Sequence, residues 1–365
     1  MQKTIRPNKS RPLALVGLFL IPFLLSMESC KKEPKELADF NQVNLVANNN
    51  EYGATTRVDP TFINGWGIAF SSGGTAWVSA EGSGLSEVWN SAGNVAIPAV
   101  TIPSAGDIPT GGHPSGQLFN GTTDFVLANG KPARFIFAGL DGVISGWNGG
   151  TAAVSAIDDS KSGAVYTGIT LASDGGANFL YVANFSAGKI DVYDKNWAEV
   201  WKSFKDPWVP RGYSPFNIQN IGGMLYVMYA KLGPGGDEEK GAGNGYVAIF
   251  NTGGSLVKHF ISRGALNAPW GVAQAPAGFF TQDMGMGNTQ NAILVGNFGD
   301  GRINVYDENG RFIGPLRSKN RPLVIDGLWA ISFAPVTATT INPNWLFFAA
   351  GPDDEADGLF GYITK

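Results

Sequence analysis

The sequence predicts an all-β chain folded as a six-bladed β-propeller of four-stranded antiparallel blades, and three observations carry that prediction. A segment recurs within the chain: NFSAGKIDVYD from Asn184 and NFGDGRINVYD from Asn297 agree at seven of eleven positions. A second pattern opens each unit, as GWGIAF at Gly65, PSGQLF at Pro114, YTGITL at Tyr166, FNIQNI at Phe216 in a looser register, PWGVAQ at Pro269 and LWAISF at Leu328. Its small residue or equivalent falls at Gly67, Gly116, Gly168, Asn217, Gly271 and Ala330, with spacings of 49, 52, 49, 54 and 59 residues. Four short strands with their turns need about 40–50 residues, the period of a propeller blade. Third, 50 glycines in 365 residues with 12% aromatic and only 15% charged residues argue for short strands and tight turns, and against disorder, which needs few aromatics and high charge.

The N-terminus reads as an address. Lys3, Arg6, Lys9 and Arg11 precede an apolar stretch from Pro12 to Leu25, in the length range of a secretory signal and short for a membrane span. Cys30, the only cysteine, closes the run SMESC. This resembles a bacterial lipoprotein signal, in which the cysteine is lipidated after cleavage before it; Ser29 suits the cleavage position, while Met27 and Glu28 depart from the usual pattern. Lipid attachment explains a single cysteine at this place better than disulfide or metal chemistry does. Lys31 follows rather than aspartate, which by analogy with lipoprotein sorting favours the outer membrane. The expected organisation is a lipoprotein signal peptide over residues 1–30, a charged tether over 31–39 and the propeller over 40–365. The chain would then be held in the cell envelope by a membrane anchor at Cys30, facing the periplasm or the cell surface.

Within each unit a strand pair follows the opening pattern: AWVSAEGSGLSEVWN, RFIFAGLDGVISGWN, LYVANFSAGKIDVYD, LYVMYAK with GNGYVAIFN, ILVGNFGDGRINVYD and WLFFAAGPDDEADGLFGYI. Apolar and polar residues alternate and Gly-rich turns intervene, as in hairpins. The short stretch Gln42 to Ala47 is expected to complete the last blade and close the ring, which removes exposed sheet edges.

Taken together, NGWGIAF, RFIFAGLDGVISGWN, AVYTGITLA, PFNIQNIGGMLYVMYAK, LNAPWGVAQAPAGF, GNFGDGRINVYD, IDGLWAISF and AGPDDEADGLFG resemble a bacterial family of exported, uncharacterised β-propeller proteins. At superfamily level the chain is similar to NHL-type and senescence-marker/gluconolactonase-like six-bladed propellers. The resemblance implies the fold and no activity, and the fold hosts binding modules and enzymes alike.

In propellers of this kind the loops leading into the innermost strands share a face with the loops inside the middle hairpins. That rule gathers Asn64, His113, Asn267 and Asp326 with Glu81, Asp141, Asn184, Asn297, Asp300, Asp353, Asp354 and Asp357 around a central channel mouth. Such a ring of oxygens suits calcium or another divalent cation. The related lactonase-type propellers hold a divalent metal there with Glu, Asn and Asp, and Asn217, Asn267 and Asp326 occupy comparable blade openings. The competing reading is that Asn and Asp form turns. GPDDEADG imitates the start of a calcium loop but has Thr364 where the later acid belongs; it reads as a local cation site or, more simply, as a solvated acidic loop.

His113, in GGHPSG, is the candidate general base; a histidine bonding a neighbouring blade's backbone is the plainer reading. His259 in LVKHFIS reads as structural. With two histidines and Cys30 committed to lipid, zinc lacks ligands. Trp66, Trp270 and Trp329 recur at one repeat position, either lining a sugar or peptide site or packing between blades. Residues 231–245, KLGPGGDEEKGAGNG, read as a mobile loop on the face of His113. Beyond residue 30 the chain carries 22 basic and 29 acidic residues without a basic stripe, which argues against nucleic acid as partner. No histidine cluster, triad spacing or cofactor loop is evident. The chain is therefore expected to be a binding module for a protein, glycan or small molecule, with Asn64, His113, Asn184 and Asn297 as its ligand-binding residues. The alternative is a divalent-metal-dependent hydrolase or lactonase with its site at the channel mouth.

Overall fold

A computed structural model describes residues 37–280 and 291–365. The signal peptide, Cys30 and the tether up to residue 36 lie outside the described residues. Six sheets form six blades, as expected, and their strands pair antiparallel except where the two-residue strand Arg57–Val58 joins Asn41–Ala47 in parallel as a fifth strand of blade 6. The innermost strands are Gly65–Phe70, Pro114–Phe119, Tyr166–Asp174, Tyr213–Ile221, Pro269–Gln274 and Leu328–Phe333. No α-helix occurs among the described residues. The strand Asn41–Ala47 pairs antiparallel with Leu359–Thr364, so both ends of the propeller share blade 6. Leu37, assigned to the tether by sequence, is buried, and Phe40 N–H donates to Arg317 O.

The small residue repeated in the opening pattern has a steric cause. A Cβ on Gly67 would lie 2.5 Å from Ser115 O, one on Gly116 2.9 Å from Gly168 Cα, and one on Gly168 2.1 Å from Asn217 Oδ1. The inner strands pass one another too closely for larger side chains. Blade 3 departs from expectation with three strands, Tyr166–Asp174, Ala177–Asn184 and Lys189–Asp194. Its fourth place is marked by a single bridge from Tyr193 to Glu199. Trp197 adopts a left-handed φ of 67° there, and Pro207 and Pro210 lack the N–H a ladder requires.

All six innermost strands also carry a bulge at the same place, where pairing with the second strand slips by one residue. A bulge re-aims a side chain. At or beside these bulges stand Trp66, Ser115, Thr167, Phe216, Trp270 and Trp329, all buried. The large members meet across the ring: Trp66 stacks on Trp329 with centroids 3.6 Å apart, Phe216 of blade 4 lies 5.7 Å from Trp329 of blade 6, and Trp270 Nε1 donates to Thr167 O. The repeated tryptophans thus pack between blades, and they do so at the central axis, which they plug, rather than lining an open site. Beyond the plug a cavity of about 310 Å³ remains, lined by the later halves of the inner strands, including Gln117, Thr170, Gln219 and Ser332.

Candidate functional site

The plug is the floor of the site. Trp329 is sandwiched between Trp66 and, at 3.8 Å, Phe298 of the blade 5 hairpin loop. Lys240 Nζ lies 4.3 Å from the centroid of Phe298, so an ammonium caps a column of three rings. Trp329 Nε1 donates to Asn64 Oδ1 at 3.0 Å, which ties this floor to the polar groups above it.

Asn64 is the hub. It is buried and held at a φ of 49°, a conformation Asn tolerates better than most residues. Its Nδ2 donates to Glu81 Oε2 of blade 1 at 2.9 Å and to Glu355 Oε2 of blade 6 at 2.8 Å. Glu81 Oε1 in turn lies 2.8 Å from His113 Nδ1 of blade 2. Gly84, at a φ of 66°, lets the Glu81 turn approach the His113 loop, for a Cβ there would meet Gly112 O at 2.8 Å. Glu355 is aimed by three successive left-handed residues, Asp353, Asp354 and Glu355. That turn is braced where Asp353 N–H donates to Asp326 and where Asn48, Asn49 and Tyr52 donate to Asp357. Left-handed backbone at non-glycine residues persists only when its surroundings hold it, and it concentrates at functional sites.

The carboxyls differ in proton affinity. Burial alone would raise Glu81, but hydrogen bonds from His113 and Asn64 outweigh it and hold the group below its ordinary range. Its hydrogen bond raises His113. Burial raises Glu355 in spite of Asn64, and pushes Glu238 up to about 7, with the negative charge of Glu355 adding to the effect. Glu238 and Lys240 come from the glycine-rich loop 231–245. That loop, expected to be mobile, is pinned: Lys231 Nζ meets Glu239 Oε1 at 2.6 Å, and Asn267 Oδ1 accepts Gly241 N–H at 2.7 Å.

Of the residues singled out from sequence, Asn64 and His113 are brought together, through Glu81. Asn184 and Asn297 instead brace their own surroundings: Asn184 Nδ2 donates to Asp191 of its hairpin, and Asn297 Nδ2 to Asp300 of its hairpin and to Ala265 O of the loop entering blade 5. Each of the three expected metal donors has a hydrogen-bond partner of its own. Asn217 Oδ1 accepts Ile218 N–H and its Nδ2 donates to Trp270 O; Asn267 holds Gly241; Asp326 Oδ2 accepts Asp353 N–H at 3.1 Å. No hydrogen bond joins any two of them, and among the described residues no three His, Cys, Asp or Glu side chains are grouped to hold a metal. Sequence reasoning weighed Glu355 only as part of the calcium-loop-like run GPDDEADG and did not single out Glu238 or Lys240; the signal available was their place in two loops already marked as unusual.

No family profile matches the chain. The uncharacterized protein R648 of Acanthamoeba polyphaga mimivirus is 34% identical over 338 residues, covering 88% of this chain and 79% of that protein. This relative is viral, so the expectation of a bacterial family finds no support in it. A protein of unknown function from Bacteroides thetaiotaomicron shares the fold with a TM-score of 0.53 at 9% identity, over 88% of this chain and 72% of that one. Virginiamycin B lyase from Staphylococcus aureus superposes with a TM-score of 0.48 at 12% identity, over 90% of this chain and 99% of that one, and nothing about activity follows from it.

Proposed function

Since the chain belongs to the family of that mimivirus protein, we propose, from its own geometry, that it is a ligand-binding propeller whose site is the plugged mouth of the ring. We infer further that it works outside the cytoplasm, held by a lipid at Cys30. The observation that carries the binding reading is the convergence on Asn64 of carboxylates from blades 1 and 6, with His113 of blade 2 attached through Glu81. Acceptors above an aromatic floor suit a ligand that offers hydroxyl or ammonium donors. Asn64 spends both amide hydrogens in holding the carboxylates, which pre-orients them before a ligand arrives.

A hydrolase is the second reading, favoured by one observation: a Glu238 carboxyl near 7 has the proton affinity of a general acid–base group at neutral pH. This reading runs without the trio Asn217, Asn267 and Asp326. Thermal melting against amino sugars, polyols and short peptides tests the first. A ligand that binds only the folded state raises the midpoint by mass action, and the rise should vanish in Glu355→Gln. A rise untouched by that substitution moves the ligand elsewhere. Turnover of lactones or esters that is lost in Glu238→Gln would favour the second reading.

A further inference from the structure

The chain's other histidine sits in a different constellation, on the outer wall of blade 4. His259 Nδ1 lies 2.6 Å from Asp206 Oδ2, and its Nε2 lies 2.5 Å from Ser262 Oγ. Residues three apart on a regular strand face opposite sides. Here the strand Leu256–Ser262 bulges at Phe260: Ala248 pairs with His259 while Val247 pairs with Ile261. The extra residue returns His259 and Ser262 to one face, opposite Ala248 and Tyr246.

Asp206 comes from the irregular segment between blades 3 and 4. Its side chain is fully buried, and its Oδ1 accepts Trp208 N–H at 2.9 Å. With the carboxylate fixed, His259 holds its proton on Nδ1 and leaves Nε2 to accept from the Ser262 hydroxyl. The His259 side chain is 22% exposed and Ser262 is exposed, so both are reachable from solvent. The chain then turns through left-handed Arg263 and Gly264. The N–H groups of Gly264 and Ala265 donate no hydrogen bond within the described residues. They are backbone donors close in sequence to the hydroxyl, of the kind that stabilise an oxyanion.

We propose that Ser262, His259 and Asp206 form a second site, an acyl-transfer centre acting on small carboxylic esters. Ser262 Oγ adds to the ester carbonyl carbon as its proton passes to His259 Nε2, and the carbonyl π electrons move onto oxygen. Collapse of this adduct breaks the bond to the alcohol oxygen, which takes the proton from His259 and departs. Water then adds to the acyl-serine, giving its proton to His259. The acid leaves and Ser262 Oγ recovers the proton, so that ester and water become acid and alcohol.

The test treats the full chain with a fluorophosphonate, whose phosphorus bonds to an activated serine oxygen as fluoride leaves. Peptide mass spectrometry should find the adduct on Ser262. The labelling rate should fall roughly 100-fold or more in His259→Gln and Asp206→Asn. Either variant could disturb the loop, so Ser262→Ala, which removes only an exposed oxygen, is run beside them. It should melt like the wild type and carry no adduct. p-Nitrophenyl acetate hydrolysis should be lost in step. Absence of an adduct on wild-type Ser262, or an unchanged labelling rate in a folded His259→Gln, overturns the proposal.

Discussion

The chain has two histidines, built alike and placed differently. At the mouth of the ring, His113 Nδ1 faces Glu81 at 2.8 Å with 55% of its side chain exposed. On the outer wall, His259 Nδ1 faces Asp206 at 2.6 Å with 22% exposed. In each the carboxylate fixes the ring's orientation. The difference lies at the other nitrogen. His259 Nε2 meets the Ser262 hydroxyl, whereas His113 Nε2 has no hydrogen-bond partner among the described residues and faces outward. A carboxylate–imidazole pair is therefore an orienting device, and the third group decides its use. At the mouth the third position is open to solvent, and on the binding reading proposed above a ligand takes it. On the wall the third group is already present as a nucleophile.

The contrast extends to how each pair is supported, and four substitutions probe it. The mouth rests on the axial core. Trp329→Ala removes the centre of the stacked column and should cost about 3–5 kcal/mol of stability by denaturant unfolding. Labelling of Ser262 in the surviving folded fraction should continue, and its loss would join the two regions that the comparison separates. Asn64→Ala comes next. It strips hydrogen bonds from Glu81, Glu355 and Trp329 and places alanine at a positive φ, for roughly 2–3 kcal/mol by the same measurement. A loss under about 0.5 kcal/mol, the level of an ordinary surface change, would show that Asn64 is not the hub.

Glu238→Gln sharpens the electrostatics. The folded carboxyl is raised to about 7, so its contribution is fully present below the ordinary carboxylate range and is lost as pH rises through about 7. The wild type should lose stability across that window, by about 2 kcal/mol after solvent screening, and the variant should not. Melting from pH 4 to pH 9 checks this. The smallest effect belongs to His113→Gln. His113 is raised, so its pairing is fully present below the ordinary histidine range and fades as pH rises through its elevated value. Glu81 is lowered, so its share holds above the ordinary carboxylate range and is lost as acid reaches its depressed value. At half-exposed positions the pair should be worth under about 1 kcal/mol. The variant's deficit should be largest in mildly acidic solution and should shrink above neutrality. A deficit that grows with pH would mean that His113 is not held by Glu81.

The architecture was legible because it depends on sequence period. Gly67, Gly116, Gly168 and Gly271 stand where strands crowd one another, and crowding selects glycine whatever else the blade contains. The plug was not legible. Alternation of period two has no mark for the extra residue that turns Trp66, Trp270 and Trp329 onto the axis. The bulge at Phe260 hides the outer site for the same reason: His259 and Ser262 read as opposite-facing until the slip is known, and Asp206 lies 53 residues away in a segment without regular structure. At the mouth, Asn64 and His113 were named by the loop rule, but their meeting depends on the turn that carries Glu81. Glu355 was hidden in a loop taken for a solvated acidic turn, because nothing in GPDDEADG announces three left-handed residues in a row.

The closed axis has one more consequence. A ring of blades invites the picture of a conduit, yet Trp66, Trp270 and Trp329 are buried and in ring contact with one another at its centre, and such a layer offers few partners for a hydrated ion. The aromatic cluster therefore stands between the two faces. The polar well lined by Gln117 and Gln219 and the carboxylates around Asn64 are thus two distinct polar surfaces of one ring. The molecule offers a polar recess on each side of its aromatic centre.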